Sequence, residues 1–362
     1  MKNTCRECRR CLNNDTVRHI EYDNDGVCNF CNNYDEVAIR LGDQKKLEKL
    51  FKNRVAKIKG KHAYDAVVGI SGGKDSVYVL HQLINKYHLK VRAFTLDNGF
   101  FTTEARKNVD RIVRDFDVEH EYVEFDPKFL KEVYHYSMSH FLTPCVACSY
   151  LGYVSMINYA MRHDAGFCIQ GRSPEQMLRS YGNDVFSRFI DLGLKDINEI
   201  DINKEYLKIL DDVAQKISPK LARQIKVMLY EDTQDDNLRE LVPYFLYHPY
   251  DEAKIVEFLQ KETTWRPPKE YNHFDCKVHN AAKYIYQTAE GRPHRLPETS
   301  VRVRRGEISK EAGREILAKE IIEKPKDELK YLCEFAKINQ SNLLLKARTY
   351  NWINRHRGQK QK

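Results

Sequence analysis

The hexapeptide Ser71-Gly-Gly-Lys-Asp-Ser76 constrains this chain more than any other segment, because it joins an apolar run to a helical pattern. The run Asp65-Ala-Val-Val-Gly-Ile70 reads as a buried strand, and Val77 to Lys86 reads as a helix. A strand that ends in glycines and opens a helix aims backbone N–H groups and the positive end of the helix dipole at one point. Anions bind at such points. The glycines let the main chain approach a phosphate closely, Ser71 and Ser76 add hydroxyl donors, and Lys74 adds a positive charge. Both glycines precede the lysine directly, so this is not the Gly-x4-Gly-Lys-Ser/Thr loop.

The same alternation continues downstream. Val91-Arg-Ala-Phe-Thr-Leu96 reads as a second strand with Asp97-Asn-Gly99 as its turn, and Thr103 to Phe116 as a helix. His120-Glu-Tyr-Val-Glu-Phe125 is a third strand, a helix runs from Cys148 to about His163, and Gly166-Phe-Cys-Ile-Gln-Gly171 is a fourth strand. Strands alternating with helices predict an α/β fold, a parallel sheet with helices on both faces. A helical stretch, Glu36 to about Lys59, precedes it. From Pro174 to Glu240 the pattern is helical and polar, Val242-Pro-Tyr-Phe-Leu-Tyr-His-Pro249 interrupts it, and Asp251 to Lys261 is helical again. The expected organisation is a zinc ribbon over 1–34, a helical linker over 35–60, a nucleotide domain over 61–270 and a helical region over 271–362.

Ten cysteines among 362 residues point to metal or redox chemistry when the chain is intracellular. No run of eighteen apolar residues occurs, and Met1-Lys-Asn-Thr-Cys5 leads into charged residues, so the expectation is a cytoplasmic protein with no membrane partner. Cys8-x2-Cys11 and Cys28-x2-Cys31 form two knuckles sixteen residues apart, the spacing of a structural four-thiolate Zn2+ site. The segment holds too few apolar residues to fold without metal. Asp25-Gly26 supplies the turn, and Cys5 is an alternative ligand or a free thiol. Cys145 and Cys148 form a third pair at the start of a helix, where a thiol pKa is lowered. Cys168 and Cys333 read as packed thiols. The formal charge of +8 and the basic stretch Lys346 to Lys362, with Tyr350 and Trp352 as stacking surfaces, fit either a phosphate contact or a solvated C-terminus.

Residues 65–76 resemble the PP-loop ATP pyrophosphatases, whose signature is Ser-Gly-Gly-x-Asp-Ser after the first strand. The resemblance implies an adenine nucleotide alpha hydrolase-like fold, ATP with Mg2+, and cleavage of ATP to AMP and pyrophosphate. It implies that Ser71, Gly72, Gly73, Lys74, Asp75 and Ser76 bind the pyrophosphate end, with Lys74 and Asp75 catalytic. Asp97, Gly171 and Arg172 fall where that family contacts adenosine. Once an oxygen is bonded to AMP it leaves as a phosphate, so a nitrogen or sulfur nucleophile can replace it.

The segment from Cys8 to Tyr34, and Glu298-Thr-Ser-Val-Arg-Val-Arg-Arg-Gly-Glu-Ile-Ser309, resemble N-acetyl sugar amidotransferases. Those enzymes act in surface polysaccharide synthesis with ammonia from partner proteins. Pro144-Cys-Val-Ala-Cys148, the Pro-aromatic segment at Val242-Pro-Tyr-Phe245, and Phe274-Asp-Cys276 resemble the iron–sulfur-dependent tRNA 2-thiouridine synthetases. That resemblance implies that Cys145, Cys148 and Cys276 hold a [4Fe-4S] cluster with one iron open to sulfide. The thiouridine synthetases carry two zinc modules, whereas this C-terminal region offers only Cys333, so the resemblance does not by itself carry over their tRNA substrate.

The expected function is therefore thiolation, an adenylated substrate oxygen replaced by sulfur. The first rival is an ammonia-using sugar amidotransferase, and the second a non-catalytic zinc-ribbon protein that binds nucleic acid. The substrate is left open among tRNA, a nucleotide and a nucleotide-sugar, as are a sulfur- or ammonia-donating partner protein and a homodimer. For the cysteine pair, a persulfide with its resolving thiol, a second zinc site with Cys276 and His279, and simple packing are the other readings. The arginines of 298–309 either bind an anion or sit solvated at a helix entry, and His279 and His294 read as surface or core residues.

Overall fold

The computed structural model describes residues 5–17, 19–34, 43–172, 215–216, 218–220, 222–223, 239–267 and 275–357. Phe274, the basic residues 358–362, the start of the helix expected from Glu36 and most of the polar segment 174–240 lie outside the described residues.

Five parallel strands form the sheet: β1 Tyr64–Gly69, β2 Val91–Asp97, β3 Glu119–Glu124, β4 Ala165–Gln170 and β5 Glu240–Pro243. Their order is β3-β2-β1-β4-β5. Val67 pairs with Arg92 on one side and with Cys168 on the other, which centres β1. Its run Asp65-Ala-Val-Val68 is buried throughout, as expected of a strand covered on both faces. The sequence reading found four of these strands and missed β5. That strand has four residues and ends in Pro243, features that weaken a strand signal but are tolerated at a sheet edge.

One helix precedes the first four strands and four connect them. Helix α1 (Gln44–Ile58) precedes β1, α2 (Lys74–His81) follows it and continues into a π turn over Gln82–Lys86, and α3 (Thr103–Asp115) follows β2. After β3 come α4 (Pro127–Phe141), which the sequence reading missed, and α5 (Cys145–Arg162). The chain walks outward from β1 to β3 and then crosses back to β4 on the far side of β1. Right-handed crossovers therefore put α5 on the opposite face from α2 and α3. The direction reverses between β1 and β4, and ligands of open α/β sheets bind outside the carboxyl ends of strands at such a switch point.

Beyond β5 lie α6 (Tyr244–Tyr247), α7 (Glu252–Glu262), α8 (His279–Glu290), α9 (Leu296–Arg304), α10 (Lys310–Glu320), α11 (Lys326–Phe335) and α12 (Gln340–Arg357). Leu329, Leu332 and Cys333 of α11 and Leu343 and Leu344 of α12 are buried in the same core as the sheet. A second, smaller core joins Cys8, Cys11, Leu12, Val17, Cys28, Phe30 and Cys31 to Leu296 of α9 and Leu317 of α10. The N-terminal segment thus borrows apolar surface from the C-terminal helices. No described helix is long and apolar enough to cross a membrane.

Candidate active site and metal centre

The glycine loop occupies the carboxyl end of β1. Gly72 has φ +75°, and a Cβ there would stand 2.9 Å from the carbonyl oxygen of Ala105, so only glycine fits. The Gly72 carbonyl accepts from the Asn108 side chain and from the Trp265 indole, each at 2.9 Å. Gly73 is the N-cap of α2 and has no side-chain cap, which leaves the first-turn N–H groups to a ligand. The Ser76 hydroxyl donates to the Gly73 carbonyl at 3.1 Å and accepts from the Ser71 N–H at 3.3 Å, closing the turn.

Lys74 is paired with Asp75 at 3.4 Å and with Glu252 at 3.2 Å. Burial pulls its pKa down, but these two carboxylates more than offset that and raise it, so the ammonium stays charged. Glu252 escaped the sequence reading because it sits in the first turn of α7, where an acid is ordinary helix chemistry. At the end of β4, a Cβ on Gly171 would stand 3.1 Å from the Asp75 carbonyl, so this strand end abuts the loop helix. Arg172 reaches the Ser149 hydroxyl at 3.5 Å and lies 5.3 Å from the centre of the Tyr153 ring. Asp97 ends β2, where its carboxylate accepts from the Gly99 N–H at 3.0 Å and pairs with Arg106 at 2.7 Å.

Two of the second cysteine set, Cys148 and Cys276, lie at the same carboxyl edge, against residues that follow β2. Leu142, at φ +53°, turns the chain from α4 into α5 and starts the new helix at Cys145. One turn on, the Cys148 sulfur accepts from the Asn98 side chain at 3.2 Å. Cys276 forms an antiparallel bridge with Phe101, and the N–H of Lys277 donates to the Phe100 carbonyl at 2.9 Å. Tyr134 donates to the Asn98 carbonyl at 2.9 Å and completes the support. Burial pushes the thiol of Cys276 up, and the charges of Cys148, Asp275 and Cys145 push it further. Burial likewise raises Cys148, opposed by the Asn98 bond and Arg172. The lowered pKa expected from the helix N-terminus is thus overturned for Cys148 by desolvation. Cys145 is exposed.

The four N-terminal cysteines are all buried, and their sulfurs lie within 4.8 Å of one another. Cys8 and Cys31 are 3.8 Å apart, and Cys11 and Cys28 3.7 Å. A tetrahedron with metal–sulfur bonds of about 2.3 Å has edges of about 3.8 Å, so the set matches zinc–thiolate geometry. Hydrogen bonds shared among the four thiols favour the thiolate at Cys8 and Cys11 and oppose it at Cys28 and Cys31, and a bound cation would favour the thiolate at all four. Among the described residues this is the group of three or more ligating side chains that converges on a point. Cys145, Cys148, Cys276 and His279 do not form such a group.

Two of the three arginines in 298–309 reach the N-terminal ribbon, whereas Arg302 is partly exposed and pairs with Glu307. Arg304 is buried, donating from Nε to the Cys31 sulfur at 3.1 Å and from Nη2 to the Cys11 sulfur at 3.6 Å. Arg305 reaches the Tyr34 hydroxyl at 2.5 Å, and Lys310 donates to the Cys8 carbonyl at 2.6 Å. Cys168 is wholly buried in β4 between Phe167 and Ile169, as the packing reading expects.

A doubly wound parallel sheet with a glycine loop at its switch point defines an α/β phosphate-binding architecture, here with an added four-cysteine metal centre. No protein-family model matches the sequence, and no curated protein matches it. The chain is similar to the solved U34-tRNA thiolase NcsA from Methanococcus maripaludis with its [4Fe-4S] cluster, at 13% identity and a TM-score of 0.37, over 92% of this chain and 99% of that one. It is also similar to an NH3-dependent NAD synthetase from Campylobacter jejuni subsp. jejuni NCTC 11168, at 16% identity and TM-score 0.29, over 52% and 94% of the two chains. The NMN synthetase from Francisella tularensis matches at 15% identity and TM-score 0.31, over 56% and 99%. Likenesses this distant carry no activity with them, and the functional reading rests on the residues.

Proposed function

We propose that this chain is a Mg-ATP-dependent enzyme that adenylates an oxygen of its substrate and replaces that oxygen with sulfur. The observation that supports the reading is that Gly171 abuts Asp75 of the glycine loop while the next residue, Arg172, lies in the field of Cys148, whose sulfur accepts from Asn98 just beyond β2. Lys74 and the first-turn N–H groups of α2 hold the phosphates and stabilise the charge on departing pyrophosphate, while the Ser71–Ser76 bond closes the turn that aims them. The substrate oxygen bonds to the α-phosphorus and pyrophosphate leaves. A sulfur nucleophile then bonds to the activated carbon, the C–O bond breaks, and AMP carries the oxygen away.

Cys145, Cys148 and Cys276 suit an iron–sulfur cluster better than a single ion, because they do not converge on one point and two of them are soft, shielded donors. Cys145, Cys148 and Cys276 would hold such a cluster with one iron lacking a protein ligand, where exogenous sulfide would bind. Asn98 holds the Cys148 sulfur in place, and Phe101 fixes the backbone of Cys276. Cys8, Cys11, Cys28 and Cys31 hold a structural zinc, since four protein ligands leave a metal no open position.

Anaerobic purification followed by iron, sulfide and zinc analysis tests this directly. Alanine at Cys145, Cys148 or Cys276 removes iron and the broad visible absorbance while sparing ATP binding, whereas Cys168→Ala changes neither. Protein with no iron after anaerobic reconstitution, or full activity with ammonia in the Cys276→Ala variant, replaces sulfur transfer by amido transfer.

A further inference from the structure

A groove between α4 and the corner that joins α11 to α12 takes no part in the site described so far. It encloses about 180 Å3, and its polar lining includes His135, Lys337, Asn342 and Lys346. No acid lines it, and neither ammonium is paired with a carboxylate among the described residues. The corner is held by other bonds: the Ile338 N–H donates to the Cys333 carbonyl at 2.9 Å, and His135 Nδ1 meets the Ala336 carbonyl at 2.9 Å. The two lysine heads are therefore not needed to shape the groove, and together they make it attractive to an anion.

The groove opens onto an exposed face of α12. Asn342, Leu345, Thr349 and Trp352 recur at i, i+3, i+7 and i+10, which is one face of a helix, and all four are exposed. Leu343, Leu344 and Ala347 on the other face are buried. Leu345 is 62% and Trp352 61% exposed, and Lys346 and Arg348 border them. The sequence after Trp352 adds Arg355, Arg357, Lys360 and Lys362 and no acid. An indole presented to solvent among unneutralised cations suits single-stranded nucleic acid, because ammonium groups take backbone phosphates while the ring stacks on an unpaired base.

Spacing decides the size of the ligand. Lys346 and Trp352 are six residues apart, about 9 Å along the helix at about 1.5 Å per residue. Stacked nucleotides rise about 3.4 Å each, so the phosphate at one end and the base at the other belong to different units of a strand. A second copy of this chain would bring the same cations against this face, and like charges repel. The face also lies close to the second cysteine set. Tyr134 and His135 are neighbours on α4, and the first bonds to Asn98 beside Cys148 while the second lines the groove.

We propose that this groove and the adjoining face of α12 bind single-stranded nucleic acid, with Lys337 and Lys346 on backbone phosphates and Trp352 stacked on a base. The assignment goes beyond the proposed reaction, since such binding needs neither ATP nor a cluster.

Fluorescence anisotropy of the full-length protein, without ATP, against a labelled oligouridylate of about twelve nucleotides tests it. Wild-type protein binds, and Lys337→Gln and Lys346→Gln each lower the slope of log affinity against log salt by about 0.7, one phosphate contact of a single strand. Trp352→Ala weakens binding about tenfold at unchanged slope, within the range of one base stacked on an aromatic ring, and Trp352→Phe keeps most of it. The oligomer quenches indole emission in the wild type and not in Trp352→Phe, because Trp265 is buried. All three side chains are exposed, so these variants keep the fold. An oligothymidylate arm separates DNA from RNA, and binding of either supports the assignment. Affinity and slope unaltered in all three variants overturn it. So does uridine monophosphate that competes as well as the oligomer, which would make the groove a mononucleotide site, and so does a duplex that binds more tightly than the single strand. Polyglutamate that displaces the oligomer, with Trp352→Ala binding as the wild type does, would make the face a dock for an acidic protein instead. Binding is read without turnover, so its failure and a failure of the sulfur chemistry are told apart.

Discussion

The indole N–H of Trp265 donates to the carbonyl of Gly72 at 2.9 Å, across 193 positions of sequence. Asn108 fills the other lone pair of the same oxygen. A carbonyl satisfied on both sides cannot turn, and the peptide plane it belongs to fixes the N–H of Gly73 on the opposite side, toward Ser71. The phosphate loop is therefore held from behind by a residue far outside its own motif.

Replacing Trp265 by Phe keeps much of the ring but deletes this bond. Mg-ATP affinity should fall about five- to tenfold, the equivalent of about 1 kcal/mol, with the fold retained. Calorimetry with a non-hydrolysable analogue checks it, and an unchanged Kd would mean that Asn108 alone sets the loop.

In the proposed reaction Lys74 is the cation that the loop presents to phosphate. Lys74→Ala should abolish formation of AMP and pyrophosphate, while Lys74→Arg retains part of it. Product analysis by chromatography distinguishes this from hydrolysis to ADP and phosphate, an outcome incompatible with the adenylation reading.

Arg304 donates to two of the four clustered sulfurs, so it would act on a bound metal through its ligands. Arg304→Leu keeps bulk and should speed zinc release to a chelator about tenfold, in the range found when partners of metal ligands are removed. Cys11→Ala should lose the metal altogether. Unchanged zinc content after deletion of residues 1–34 would place the ion elsewhere.

Two histidines should make the fold acid-sensitive. His248 is buried, its Nδ1–H donates to the Tyr244 carbonyl at 3.0 Å, and its Nε2 accepts from the Tyr87 hydroxyl at 2.5 Å. Burial pulls His248 and His120 down to about 4 from the ordinary 6.5. The folded pKa lies below the unfolded one, so the unfolded chain binds more protons in between. Their stabilisation is complete above pH 6.5 and is lost as pH falls toward 4. Urea midpoints measured from pH 7 to pH 4.5 should fall, and His248→Asn should flatten that fall.

Much of the site was legible because its determinants are local. Ser71-Gly-Gly-Lys-Asp-Ser76 has one backbone solution between a strand and a helix, and Gly72 occupies the left-handed conformation that makes glycine obligatory there. Cys8, Cys11, Cys28 and Cys31 announce their convergence by spacing alone, since two short knuckles can close only around a shared point. The alternation of β1 to β4 with helices likewise follows from residues near one another in the chain.

What the tertiary structure decided are the relations between distant segments. β5 carries too few residues to register as a strand until β4 supplies its hydrogen bonds. Cys148 looks like an activated helix-terminal thiol in sequence, yet desolvation raises it. Arg304 reads as surface charge until the ribbon folds over α9 and α10 and brings sulfurs 273 and 293 positions away into contact with it. Glu252, Trp265 and Cys276 owe their places to the same cause. Periodicity and spacing report on neighbours along the chain, whereas burial and charge pairing depend on which surfaces the packed sheet and helices bring together.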